Sequence, residues 1–176
     1  MFAGWENFYL LVGGASGSLI GLMFVATTLT AGLEPSRVSR GAMVYFSPIV
    51  FHFAVVLLVS ALALAPQLRA VGDCAFLEAC AVVGLVYAIA TTVRVLSFGS
   101  ENPPHWSDRY FYGYAPTLAY VALALAAAAA PVREKESAAG VAIVILALLM
   151  LGVRNAWDLA TFLVQQPRDR PDAGSN

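Results

Sequence analysis

A few ionisable and amide side chains interrupt the long apolar stretches of this sequence. The candidates are His52, Thr91, Arg94, Arg154, Asn155 and Asp158. A charge near the centre of a bilayer costs about 2.5–3.5 kcal/mol on insertion scales, so such groups pair, face a cavity or reach toward the headgroups. Arg154 and Asp158 are four residues apart and can pair within one helix, and we expect Arg94 to approach Asp158 from another helix. We therefore predict an intramembrane polar site, which is either a sealed structural network or the lining of a water-filled vestibule.

The composition explains why these side chains must lie inside a membrane. The 176 residues are 60% hydrophobic and 12% charged, with a mean hydropathy of +0.74. Soluble domains are about 45–50% apolar and about 25% charged. Scarce charge, 14 glycines without a period and only 2 cysteines also argue against a disordered, fibrous or disulfide-rich chain. The sequence therefore predicts an integral membrane protein.

Short polar segments divide the chain into five apolar spans, each long enough to cross about 30 Å of hydrocarbon as a helix. The predicted spans cover residues 8–32, 44–65, 74–98, 111–130 and 137–164. They are continuously apolar rather than alternating, which favours helices over barrel strands. We predict an all-α fold, a single domain formed by a bundle of five transmembrane helices, followed by a polar, disordered tail at 165–176.

The distribution of basic residues predicts the orientation. No Lys or Arg precedes the first span, whereas Arg37 and Arg40 follow it. By the positive-inside rule, the N-terminus lies outside and the C-terminus lies in the cytoplasm. Aromatic residues are expected to lie at both headgroup levels: Trp5, Phe8 and Tyr9 outside, and Trp106, Tyr110, Tyr112 and Tyr114 inside.

Polar residues concentrate in one half of the predicted bundle, the half assigned to the cytoplasmic side. On the third helix, Thr91 and Arg94 share a face with Cys80, Gly84 and Tyr87. Pro48 and Pro116 each leave a backbone carbonyl free nearby, which can line a cavity, although a proline in a first helical turn is equally a simple helix start. If the site is sealed, we expect Asn155 to bond a neighbouring backbone. His52 is more typical of a hydrogen-bonded packing residue than of a ligand or proton relay.

Small residues form a stripe on the first span. Gly13, Gly17 and Gly21 are spaced by four, and Gly14 and Ser18 broaden the stripe. Such spacing allows the backbones of two helices to approach closely in lipid. The partner helix belongs either to the same chain or to a homo-oligomer or another membrane protein. In either case we expect the first helix to be central to the packing.

The segment Gly14-Ala15-Ser16-Gly17 resembles the G-x-S-G segment of rhomboid intramembrane proteases. That resemblance implies Ser16 as a nucleophile and His52 as its base. The sequence departs from the rhomboid pattern, because the serine lies on the first of five helices and no glycine follows His52 in an H-x-x-G arrangement. The predicted depths also place Ser16 and His52 in opposite halves of the membrane.

The two ends of the chain resemble a family of small bacterial multi-pass inner-membrane proteins of unassigned activity. The opening F-Y-x-x-x-G-x-A…G-L-x-F-V pattern is present from Phe8 to Val25, and the closing R-N-A-W-D pattern is present from Arg154 to Asp158. The resemblance implies a bacterial inner membrane and no particular activity.

These observations leave three functional hypotheses. The first is a small oligomeric channel or carrier with a polar vestibule in the cytoplasmic half. The second is a non-catalytic accessory or assembly subunit that binds another membrane protein through the glycine face of the first helix. The third, more remote, is an intramembrane serine protease.

Few classes of ligand fit the sequence. Two histidines and two cysteines are too few for a haem or copper site, so we expect no cofactor and no metal. A net charge of −1 without a basic stripe offers nucleic acid no surface. The expected partners are the lipid bilayer and a second copy or another membrane protein.

Overall fold

The protein is a bundle of long helices. The computed structural model describes residues 1–30, 35–65, 70–97 and 106–165. The helices are α1 (Glu6–Thr30), α2 (Pro35–Leu64), α3 (Ala70–Ser97), α4 (Trp106–Ala129) and α5 (Glu134–Gln165). All five are long and apolar enough to cross a membrane, and the described residues contain no strand. The predicted fold class is confirmed, and the architecture fits a multi-pass membrane protein.

The helices extend beyond the predicted apolar spans. α2 begins at Pro35 and α3 at Ala70, several residues before the predicted starts at 44 and 74. Hydropathy marks the part of a helix that lies in hydrocarbon, whereas the helix itself continues into the headgroup region. Pro35 suits a first helical position because its missing N–H would have no partner there. The predicted ends at 31–32 and 98 and the predicted tail beyond Gln165 lie outside the described residues.

α2 and α5 form the centre of the bundle. α2 packs against α1, α3 and α5, and α4 packs between α3 and α5. Buried side chains include Ile49, Phe53, Val56, Tyr120, Leu123, Ile145 and Leu148. α1 packs almost entirely on α2 and has the least buried span of the five, so the expectation that it is central to the packing is wrong.

Close approaches at glycines position the central helices. The ring of Tyr120 on α4 lies directly across Gly84 on α3, where a Cβ atom would collide with it. A Cβ at Gly152 on α5 would lie 2.5 Å from Cε1 of Phe53 on α2. Each of these two glycines therefore contacts a large buried ring of a neighbouring helix, and the packing leaves no room for a methyl group.

The segment before α1 folds back on the bundle. Phe2 packs edge-on against Tyr9, with ring centroids 5.1 Å apart. The turn passes through Gly4 at a φ of +86°, a conformation that favours glycine. The amino group of Met1 lies 2.8 Å from Oε1 of Glu134 at the start of α5, so α1 and α5 start on the same side.

The aromatic residues occupy two different environments. Trp106, Tyr110 and Tyr114 are exposed near the start of α4, as expected of residues at the headgroup level. Tyr9 and Tyr112 are buried inside the protein, so neither ring faces the lipid. Tyr9 packs edge-on against Phe2 and Phe8, and the Tyr112 hydroxyl bonds the carbonyl of Asn155.

Gly84→Ala is expected to lower the free energy of unfolding by about 1–3 kcal/mol, because the new methyl group displaces the ring of Tyr120. Gly21→Ala is the matched control, since a Cβ there meets nothing within 4 Å. The measurement is denaturant unfolding of the purified protein in detergent micelles. Equal stability of the two variants would contradict the packing described.

Candidate functional site

A π-helical turn interrupts the regular hydrogen bonding of α4. Residues Arg109–Tyr114 form this turn, and the N–H of Ala115 bonds the carbonyl of Tyr110, five residues earlier. The next bond of the series would join residue 116 to the carbonyl of Phe111, but Pro116 has no N–H. The carbonyl of Phe111 therefore needs a partner from outside α4.

Asn155 on α5 supplies that partner. Its side chain is fully buried, and its Nδ2 donates to the carbonyl of Phe111 at 3.1 Å. Its Oδ1 accepts a bond from Nη1 of Arg154 at 3.2 Å, and its backbone carbonyl accepts a bond from the Tyr112 hydroxyl at 3.1 Å. We call Arg154, Asn155, Asp158, Phe111 and Tyr112 the Asn155 network. It joins α5 to the backbone of the π turn.

The charges of this network are balanced within α5. Nη2 of Arg154 lies 3.5 Å from Oδ2 of Asp158, which confirms the predicted i, i+4 pairing. The guanidinium also stacks on the Phe111 ring, 3.5 Å from its centroid. The side chains of Arg154 and Asp158 are 32% and 46% exposed, so the pair lies at the edge of the bundle.

Arg94 does not join this network. Its side chain is exposed, and Asp158 forms its ion pair with Arg154 instead. α3 packs against α2 and α4 rather than closely on α5, so the expected approach of Arg94 to Asp158 is wrong. Val95, four residues after Thr91, continues the buried face of α3, and Arg94 points away from it.

His52 and Ser16 are both buried, but they bond different partners. Nδ1 of His52 lies 2.9 Å from the hydroxyl oxygen of Tyr120. The hydroxyl of Ser16 donates to the carbonyl of Phe53 at 2.6 Å. Ser16 is thus level with the residue next to His52, and the prediction that they lie at opposite depths is wrong. Each side chain connects two helices, which is the behaviour of packing residues.

Most hydroxyl groups in the predicted polar half bond their own helix. Thr27, Thr28, Thr92, Thr117 and Thr161 each donate to the carbonyl four residues earlier. This back-bonding satisfies a hydroxyl in lipid without any water. Thr91 differs, because its Oγ1 is buried and has no hydrogen-bond partner. In the part of the chain that the structure describes, most hydroxyl groups of the polar half therefore have hydrogen-bond partners within the protein.

The glycine stripe of α1 passes from a packed edge to an open face. Gly13 lies against Ser60 of α2, where an added Cβ would be 2.8 Å from the Ser60 Cβ. Gly17 is half-buried beside Leu57. Gly14 and Gly21 have nothing within 4 Å of an added Cβ, and Ser18 is exposed. The stripe thus serves packing at Gly13 and Gly17, whereas Gly14, Ser18 and Gly21 are exposed on the described bundle.

Two partners in these sites were missed by the sequence interpretation. Tyr120 was read as part of an apolar span, although it supplies the hydrogen bond to His52. Phe111 contributes a carbonyl and a ring face rather than a polar side chain. A glycine such as Gly84, facing inward on a neighbouring helix, was the available signal for a large ring opposite.

Among the described residues, no group of three or more His, Cys, Asp or Glu side chains is placed to hold a metal ion. Comparison of the chain with models of protein families, with curated proteins and with solved structures found no match. The residues of the chain itself therefore carry the functional argument.

Asn155→Leu is expected to cost about 1–3 kcal/mol of unfolding free energy, because it leaves the Phe111 carbonyl buried without a donor. Adding Pro116→Ala in the same chain restores an N–H beside that carbonyl and should recover part of the loss. A double-mutant cycle by denaturant unfolding in micelles measures this coupling. Strictly additive effects of the two substitutions would contradict the proposed link.

Ser16 is expected not to react with a fluorophosphonate probe, since its proton is donated to a backbone carbonyl and its oxygen is buried. In-gel fluorescence of the labelled protein, with a known serine hydrolase added as a positive control, gives the readout. Labelling that disappears in Ser16→Ala and persists in Ser18→Ala would show instead that Ser16 is an activated nucleophile.

Proposed function

We propose that this protein is a non-catalytic accessory or assembly subunit that binds a transmembrane helix of another membrane protein. The observation that carries the proposal is the outer face of α1. This face consists of Gly14, Ser18, Gly21 and Val25, which recur at steps of four, three and four along one side of the helix. All four residues are exposed.

The outer face of α1 carries small residues where it would meet lipid, and a helix of another protein that packs on this face is the best explanation for them. Lipid offers no hydrophobic drive for helices to associate, so close backbone contact over Gly and Ser replaces it. The inner side of α1 is already in use, because Tyr9, Val12 and Ser16 are buried against the bundle. The outer face thus leaves α1 able to hold α2 on one side and a partner on the other.

The polar interior supports a binding role over a transport role. Asn155 has its amide hydrogen bonds made within the protein, and His52 has a partner in Tyr120. Such satisfied networks rigidify a bundle, and they need no water. A rigid bundle with an exposed helix-packing face suits a scaffold for assembly.

One observation favours the channel or carrier hypothesis as a second candidate. The Arg154–Asp158 pair remains partly exposed at membrane depth, and intramembrane ionisable groups often mark solute paths. Purified protein in liposomes tests this hypothesis directly. Flux of ions and small solutes above that of empty liposomes, abolished by Asp158→Asn in a folded protein, would favour transport over assembly.

The membrane and the orientation belong to the same proposal. We propose a bacterial inner membrane with the N-terminus outside, because Arg37 and Arg40 follow the first span at the start of α2 and because of the likeness at the closing Arg154–Asp158 motif. Reporter fusions at each end of the full chain, one active only in the cytoplasm and one only outside it, check this placement.

Photocross-linking in native membranes tests the helix-binding face. A photoreactive benzoylphenylalanine at Val25 is expected to give one discrete protein adduct, and Gly21→Leu should reduce its yield at least about five-fold by blocking close approach. The controls are the same label at Val86, which is exposed on α3, and the substitution Ala90→Leu.

The products distinguish the possible partners. An adduct identified as another membrane protein supports the proposal, and an adduct of twice the chain mass identifies a second copy as the partner. Lipid adducts alone, or the same adduct pattern at Val25 and Val86, would overturn it.

A further inference from the structure

A groove runs along the seam between α1 and α2, beside the outer face of α1. Its volume is about 360 Å³. The lining is mostly apolar and carries no charge, and it includes Tyr9, Gly13, Gly14, Ser18, Ser60 and Ala61. The missing side chains at the glycines create the groove, and the close contact of Gly13 with Ser60 keeps it narrow.

Two buried hydroxyl groups of this lining have no hydrogen-bond partner. In the described part of the chain, four buried side-chain polar atoms are unpartnered, and two of them are Oη of Tyr9 and Oγ of Ser60. Both residues are fully or almost fully buried. A buried hydroxyl without a partner keeps its full desolvation cost. Neither of these two hydroxyl groups has an acceptor among the described residues.

The depth of the groove indicates which acceptor is available. Tyr9 is three residues past the start of α1 and Ser60 is four residues before the end of α2, so both lie about 5–6 Å from that end of the helices. The ester carbonyls of membrane lipids lie at this level, where headgroup meets hydrocarbon. From Tyr9 to Ser18 the groove extends about 14 Å, close to the depth of one leaflet at about 15 Å.

We propose that the groove binds one acyl chain of a diacyl glycerophospholipid, whose ester carbonyl accepts a hydrogen bond from Ser60 or Tyr9. An unbranched chain fits a narrow, uncharged groove, whereas a whole helix is about 10 Å wide and can insert only side chains. The Ser18 hydroxyl donates to the carbonyl of Gly14 at 2.9 Å, so the buried polar atoms of the described lining that still need a partner are those of Tyr9 and Ser60. The groove shares Gly14 and Ser18 with the outer face of α1, whereas Gly21 belongs only to that face and Ala61 only to the groove. Substitutions at Gly21 and Ala61 therefore test the two proposals separately.

Competition between ester and ether lipids tests the site. The full-length protein in detergent is incubated with an equimolar mixture of diacyl and dialkyl phosphatidylglycerol of equal chain length, and native mass spectrometry reads the bound ratio. The wild type is expected to prefer the diacyl lipid about five-fold, the effect of one neutral hydrogen bond. The double variant Tyr9→Phe/Ser60→Ala keeps both Cβ positions and the ring, and its ratio should fall to about one.

Two further variants separate the site from its neighbours. Ala61→Phe fills the groove and should remove the tightly held lipid. Gly21→Leu should leave the amount of bound lipid and the ratio unchanged while it lowers the yield of the Val25 cross-link. Equal binding of ester and ether lipids by the wild type would overturn the proposal. So would undiminished lipid binding by folded Ala61→Phe, or a dimer whose formation excludes lipid from the groove.

Discussion

The structure depends on the requirement that every backbone polar group in a bilayer find its partner inside the protein. Threonines on α1, α3, α4 and α5 meet this requirement for their own hydroxyl groups by bonding back to the preceding turn. In α4 the π turn runs into Pro116, so the Phe111 carbonyl has no donor within its own helix. The buried amide of Asn155 completes α4 from the neighbouring helix, and the positions of Arg154, Asp158 and Tyr112 follow from that contact.

The same requirement explains why most of the polar residues are structural. A side chain that satisfies a backbone group of another helix is held in one rotamer and on one face. Ser16 does this for α2, and Asn155 does it for α4. Among the described residues, the buried side-chain polar atoms without a hydrogen-bond partner are the hydroxyls of Tyr9, Ser60 and Thr91 and one oxygen of Asp73. Unpartnered atoms therefore locate the places where something else can bind, and the groove holds two of them.

Apolar length predicted the five spans because crossing a bilayer is a matter of hydropathy and rise per residue. The Arg154–Asp158 pair was predictable for the same reason, since it is local to one helix. Contacts between helices were harder to predict. Arg94 and Val95 point in directions about 100° apart around the axis of α3. Periodicity alone predicted that Arg94 shares the buried face of α3 with Thr91, whereas Val95 occupies that face in the structure.

The glycine stripe shows a related limit. Residues four apart advance by about 40° around a helix, so a stripe of Gly13, Gly17 and Gly21 drifts from one face to the next. The spacing indicated close packing but not that only its first members would be used within the chain. α1 lies at the edge of the bundle because α2 and α5 pack together at its centre and α1 contacts almost only α2. The sequence of α1 alone does not reveal which helices will pack against each other.

The incomplete hydrogen bonding of α4 has a consequence for how the chain enters the membrane. A helix whose carbonyl at Phe111 lacks a donor is a poor candidate to partition into lipid alone. The turn at 130–133 is short, and α5 carries the missing amide. α4 and α5 are therefore expected to leave the insertion machinery together as a helical hairpin, with α4 retained at the protein-conducting channel until the part of α5 that contains Asn155 has been synthesised.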